Sequence, residues 1–180
     1  MAAEESSRLA STMLQAKMPT IYLIYHIFFR GLILFQLYRI FGDEQRLKDG
    51  KEMMDRMEGW ALVSSAVFEN KWLLLKAEFM ASIDESDQAL KNYEGSIKSA
   101  QDHGNIHELA LAQELFGNYY SERGCMTTSI ECFKKAYVYY TQWGATAIAD
   151  KILETHNLEM ASAAKQELHL QNQKHPRQCG

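Results

Sequence analysis

His103 and His107 stand four residues apart with Glu108 beside the second, the closest approach in this sequence to a metal-ligand pattern. Histidines four apart on one helix can share a face and bind Zn²⁺. Gly104 and Asn105 put a helix break between these two, so their rings need not share a face. A zinc site also needs more ligands than this, which favours two histidines at a helix boundary. Cys125 and Cys132 read as a turn residue and a packed thiol rather than a redox pair. Tyr119, Tyr120, Tyr137, Tyr139 and Tyr140 are dense enough for a ligand platform, and Met53, Met54 and Met57 for an adaptable groove. At helical spacing both sets read first as core. Asp84/Glu85 and Glu108/Glu114 look like turn and surface residues, not an acid/base dyad. A glycine-rich phosphate loop, a G-x-S-x-G elbow, an H-E-x-x-H pair and a kinase catalytic loop are all missing from the sequence. The expectation is therefore no catalytic residue, no cofactor, no metal and no enzyme activity.

The elements that place these residues are helices. From His103 to Ala149 the chain reads as two antiparallel helices joined by a short turn. Asn105 followed by Glu108 resembles a capping box at the start of the first helix. Gly117, Tyr120 and Gly124 recur at steps of three and four and share a face, and Gly124 supplies the turn. The second helix opens at Thr128 with Glu131, carries Ile130, Phe133, Ala136, Tyr137 and Tyr140 inward, and stops at Trp143-Gly144. The glycine at 117 predicts a close helix approach facing a side chain of the preceding pair, with Phe133 and Trp143 beside it. A shift of forty residues sets Ala77, Ala89, Tyr93, Ser96 and Gly104 against Gly117, Ser129, Phe133, Ala136 and Gly144. Such a match of size and type at one register predicts a repeated helix pair.

Earlier in the chain, residues 1–18 form a polar, alanine-rich N-terminal segment. Ile21 to Phe41 is the most apolar run and is long enough for a bilayer span. Arg30 near its middle would cost about 2.5–3.5 kcal/mol there, so a helix buried in a repeat array is the preferred reading and a membrane the alternative. Glu44 to Gly59 reads as a shorter amphipathic helix, and Trp60 to Ser82 as the next long one. After the turn at Asp84–Asp87 comes a helix over residues 88–103, and 146–170 completes the body. The repeat domain thus occupies 19–170, and 171–180 reads as a disordered tail.

Composition agrees with this. The 180 residues are 47% hydrophobic and 11% aromatic, too apolar for disorder, and suit one domain or a short solenoid. Pro19 and Pro176 are the two prolines, both outside the periodic helix pairs. A net charge of −4 without a Lys/Arg cluster gives no reason to expect nucleic acid. Three cysteines in no disulfide or metal framework, with no signal-like N-terminus, suggest a reducing, cytoplasmic setting.

The pattern Gly117, Tyr120, Gly124, Ser129, Phe133, Ala136 resembles the tetratricopeptide repeat, although Gln113 stands at its Trp position and Phe116 at its Leu position. That resemblance implies an all-α fold of helical hairpins stacked as a short right-handed solenoid. It also implies a concave lining that holds a peptide or another domain. The candidate lining residues are Glu114, Asn118, Ser121 and Glu122 on one helix and Lys71, Leu74 and Glu78 on the earlier one. A narrower resemblance covers residues 20–155. Tyr25-His26, Met57, Trp60-Ala61, Lys71, Ala77-Glu78, Glu108-Leu109-Ala110-Leu111-Ala112 and Tyr140 with Trp143-Gly144-Ala145 are similar to the helical region of very large signalling proteins. Those proteins join a serine/threonine-kinase-like domain, an AAA-type ATPase, this region, a GAF sensor and a histidine kinase. The resemblance implies a non-catalytic scaffold in two-component signal transduction, with neighbouring domains or another protein as partners. Thr146-Ala147-Ile148-Ala149 departs from the Ala-Lys-Val common there. A free-standing adaptor binding a peptide or protein is the alternative.

Overall fold

The computed structural model describes residues 20–156. Seven helices follow one another: α1 (Thr20–Phe41), α2 (Glu44–Val63), α3 (Ser65–Ser82), α4 (Ser86–Asp102), α5 (Ile106–Glu122), α6 (Met126–Trp143) and α7 (Thr146–His156). No strand occurs among the described residues, so the class is all-α. The N-terminal segment 1–18, the tail 171–180 and the end of the proposed repeat domain beyond 156 lie outside the described residues. The chain divides into two compact units, residues 1–89 and 90–180.

In the first unit α1, α2 and α3 pack on one another. Asp43 opens α2 by accepting a 3.0 Å hydrogen bond from the Gln45 amide. Its other carboxylate oxygen accepts from Arg46 Nε at 3.0 Å. The core joins Ile27, Phe28 and Phe35 of α1, Met57 of α2, and Leu74 and Leu75 of α3. Two glycines let these helices close up. A Cβ built at Gly31 would lie 2.6 Å from Leu75 Cδ2, and one at Gly50 would lie 2.7 Å from Phe35 Cε1. Met53, Met54 and Met57 are all buried, which makes them core residues. The break expected at Gly59-Trp60 falls instead at Ser64, whose φ of −147° and ψ of 89° leave the helical region. Trp60 stays in α2 and packs its ring against Phe68 across that corner, 5.9 Å between centroids.

The second unit joins residues 90–102 of α4 to α5, α6 and α7. Tyr93 stacks on Phe116 at 4.9 Å and lies tilted against Tyr119 at 5.3 Å, which seats α4 on α5. Ala110, Phe133, Ala136, Tyr137, Tyr140, Ile152 and Leu153 form the core where α5, α6 and α7 meet. Gly117 is the close-approach point, as its type predicts, but against its own partner helix. A Cβ there would stand 2.8 Å from Phe133 Cε1, so the glycine faces α6 and not the preceding pair. Ser129 Oγ donates 2.8 Å to the Gly117 carbonyl at the same contact. Trp143 does not fill that space. It is 52% exposed and stacks on His107 at 4.7 Å, because it sits at the open end of α6. Asn105 precedes α5 but makes no side-chain capping bond.

Backbone geometry repeats at the forty-residue register. Asp84 has φ +59°, and forty residues on Gly124 has φ +74°. Glu85 N donates to Met80 O at 3.0 Å, and Cys125 N to Tyr120 O at 2.9 Å. Gly104 and Gly144 form a second equivalent pair, at φ +68° and +94°. There Asn105 N donates to Ala100 O at 2.8 Å and Ala145 N to Tyr140 O at 2.9 Å. Each is the six-to-one bond of a helix closed by a left-handed residue. The helix limits agree as well: α3 and α4 shifted by forty fall within a residue of α5 and α6.

Candidate interaction surface

The α5 candidates share one face of their helix, since 114, 118 and 121 follow at steps of four and three. Glu114 is half-buried and its Oε2 accepts a 2.7 Å hydrogen bond from the Tyr140 hydroxyl. Burial first, then the Glu114 charge and that hydrogen bond, push the Tyr140 phenol far above the usual tyrosine range. Tyr140 is therefore a fixed neutral donor that holds Glu114 in place. Asn118 and Ser121 are half-buried and Glu122 is exposed, which leaves a polar strip on α5.

The α3 candidates fare differently. Lys71, Leu74 and Glu78 are 4%, 1% and 1% exposed, so this trio presents no surface. The reason is α1. Arg39, in the apolar run, places Nη2 2.8 Å from Glu78 Oε2, and its Nη1 donates to Ser82 Oγ at 3.2 Å. Lys71 donates to the Val67 carbonyl at 3.1 Å and lies 5.8 Å over the Tyr25 ring. Charges assigned to a groove are thus consumed in fastening α1 to α3. The two candidate sets belong to separate units.

A groove of about 560 Å³ opens in the second unit between α4 and α6, with buried Gln113 and Phe116 of α5 as its floor. Its walls carry mixed charge, Glu94, Lys98 and Asp102 from α4 against Glu131 and Lys135 from α6. Lys98 and Asp102 pair with each other at 2.7 Å. Cys132 borders the groove, and burial raises its thiol pKa, which keeps it protonated and poorly nucleophilic. Sequence reasoning missed this groove because it followed the faces of α3 and α5. Its signal was the charge spacing on α4 and α6, where Glu94, Lys98 and Gln101 recur at steps of four and three, as do Thr128, Glu131 and Lys135.

The residues first weighed for chemistry separate. His107 Nδ1 lies 2.9 Å from Glu108 Oε2. The His103 Nδ1 is instead 2.8 Å from the Ser99 carbonyl. Among the described residues no three His, Cys, Asp or Glu side chains gather as a metal site. Tyr119, Tyr137 and Tyr140 are buried, and Phe116 packs on Tyr120 at 4.5 Å, so the aromatic set builds core. Tyr119 also carries the Arg123 guanidinium 3.8 Å over its ring.

Two other histidines set a pH response. Burial, then Arg30 and Arg56, lower the pKa of His26 below its ordinary 6.5. Burial alone lowers that of His156, whose ring stacks on Phe133 at 3.6 Å. Because both folded values lie below the unfolded one, the unfolded chain binds the extra protons first. Stability is full above about pH 6.5 and falls as the pH drops through the two folded values. The midpoint of thermal unfolding is expected to fall between pH 7.5 and 5.5, with a shallower slope in His26→Asn/His156→Asn. A slope unchanged by the double substitution would remove both histidines from this account.

No protein-family model, no curated protein and no solved structure matches the chain.

Proposed function

We propose that the chain is a non-catalytic helical-repeat interaction module whose hairpins stack as a short right-handed solenoid. Its setting is the region between the ATPase and the sensor and histidine-kinase parts of a cytoplasmic multidomain signalling protein. The single observation that carries the repeat reading is the return of backbone geometry after forty residues, with Asp84/Gly124 and Gly104/Gly144 in the left-handed region and their helix-closing bonds matched. Repeats of this kind bury their apolar faces against neighbours and leave polar surface for partners. The surface here supports that role through the α5 strip and the α4/α6 groove, whose walls hold charge of both signs around a floor of Gln113 and Phe116. Neighbouring domains of the same protein are the favoured occupants, through contacts of mixed charge.

The stand-alone adaptor is the second reading, and the groove favours it specifically, since an open channel floored by Phe116 suits a short peptide. One experiment separates three outcomes. The 180-residue chain is assayed for ATP hydrolysis and phosphotransfer, and the gene is sequenced on both sides of its reading frame. The proposal expects neither activity, and flanking ATPase and histidine-kinase coding sequence. Turnover by the purified chain would overturn the non-catalytic reading. Flanks without such sequence would overturn the signalling scaffold and leave the adaptor.

A further inference from the structure

Within the first unit, α1 carries two apolar faces. Ile24, Ile27, Phe28 and Phe35 are buried in the core of that unit. On the opposite side of the helix, Tyr22, His26, Phe29, Ile33, Gln36 and Ile40 recur at alternating steps of four and three, the spacing of a helix-pairing seam. Four of them are large, apolar and exposed: Tyr22 60%, Phe29 40%, Ile33 53% and Ile40 69%. A contiguous apolar stripe of this kind marks a surface that meets a partner.

The order of residues along the seam identifies that partner. The seam reads apolar, polar, apolar, apolar, polar, apolar from either end. Laid antiparallel on its own copy, about an axis level with residue 31, it sets Tyr22 against Ile40 of the second copy. The same register sets His26 against Gln36 and Phe29 against Ile33. Every one of these contacts then occurs twice, as a two-fold interface built from one surface patch requires. We propose that the chain forms a two-fold dimer by packing this seam of α1 antiparallel on α1 of a second copy.

In this register a ring meets a branched aliphatic side chain at both apolar layers. The His26 ring can donate to the Gln36 amide oxygen, which gives the two polar members a partner and fixes the register. Burial, then Arg30 and Arg56, lower the pKa of His26 below its ordinary 6.5, so the ring enters the contact uncharged at neutral pH. A parallel pairing would set His26 on His26 with the Arg56 of each copy close by, and like charges would gather at that layer. Lipid would leave His26 and Gln36 in an apolar phase without partners, which favours a second copy over a membrane. Four side chains of this size, exposed by 40–69%, offer on the order of 500 Å² per copy. The dimer thus covers about 1,000 Å² in total, the low end for a specific interface, and belongs to the weak, transient class. Arg30 flanks the seam close to the axis and approaches its own equivalent there, which also keeps the dimer weak. This inference requires neither the signalling setting nor the solenoid.

Sedimentation velocity of the full chain from about 1 μM to about 1 mM is expected to show monomer giving way to dimer. Ile33→Lys is expected to weaken the dimer by roughly tenfold or more while leaving the thermal unfolding midpoint of the monomer in place. For the register, Cys125 and Cys179 are changed to Ser, the buried Cys132 is kept, and Tyr22→Cys chains are mixed with Ile40→Cys chains. Oxidation is expected to join the two kinds to each other roughly tenfold faster than either kind to itself. A wild type that stays monomeric throughout, or an Ile33→Lys chain that dimerises like wild type, would overturn the proposal. Disulfides formed only between like chains would make the pairing parallel, and the proposal would fall. It would fall too if wild type, but not Ile33→Lys, co-sedimented as a monomer with phosphatidylcholine vesicles, since lipid would then be the occupant.

Discussion

Phe133→Ala is expected to destabilise the second unit by about 3–5 kcal/mol, the range for truncating a fully buried aromatic side chain. Phe133 is 1% exposed. One edge of its ring closes over Gly117, where any Cβ would stand 2.8 Å away, and its face stacks on His156 at 3.6 Å. The ring therefore fastens α5 and α7 to α6 at once, and its removal leaves a cavity among three helices that rigid backbones cannot collapse. Gly117→Leu attacks the same contact from the other side and is expected to cost about 1–3 kcal/mol by overpacking. Because both changes act on one contact, Gly117→Ala combined with Phe133→Leu should cost less than the sum of the two singles. Denaturant melts of Phe133→Ala, Gly117→Leu, Gly117→Ala, Phe133→Leu and the double variant measure this. Additive losses, or a Phe133→Ala chain as stable as wild type, would show that the Gly117–Phe133 contact does not hold the unit together.

Arg39→Ala is expected to cost about 3–5 kcal/mol, because it strips the cation from a carboxylate that the fold has taken out of water. Glu78 is 1% exposed and meets Arg39 Nη2 at 2.8 Å, while the same guanidinium donates to Ser82 Oγ. Glu78→Gln in the Arg39→Ala background removes the buried charge and should recover part of the loss. The exposed Lys51–Asp55 pair on α2, also at 2.8 Å, is the control. Lys51→Ala should cost no more than about 0.5 kcal/mol, since solvent screens such pairs. Equal effects of Arg39→Ala and Lys51→Ala on the unfolding midpoint would refute the claim that α1 is fastened to α3 through this charge.

The helical class and the forty-residue register were both legible in the sequence, because glycines at 104 and 144 and small or aromatic residues at 89/129 and 93/133 are local signals. Asp84 was less legible. It occupies a left-handed position like that of Gly124 forty residues later, yet aspartate is a common turn residue and does not announce a positive φ. The fate of Lys71 and Glu78 could not be read from α3, because Glu78 pairs with Arg39 and Lys71 lies over Tyr25, both on α1 a full helix pair earlier. Periodicity reports which positions share a face, whereas which face is covered depends on helices distant in sequence. The same limit explains Trp143. Its size suggested core, but its place at the end of α6 leaves it half in solvent against His107. The end of α2 was misplaced for a local reason: Gly59 suggested a stop, yet a Cβ built there would meet no neighbouring side chain within 4 Å and the helix runs on to Val63.

Native-state hydrogen exchange of wild type and Phe133→Ala tests the helical-repeat reading most directly. Stacked repeats open hairpin by hairpin, since stability is a sum of unit and neighbour terms. The predicted result is a large loss of amide protection in α5, α6 and α7, a smaller loss in α4, and protection in α1 and α2 within about twofold of wild type. A uniform drop, with amides from Ile27 to Leu153 exchanging at one shared free energy in both proteins, would contradict it.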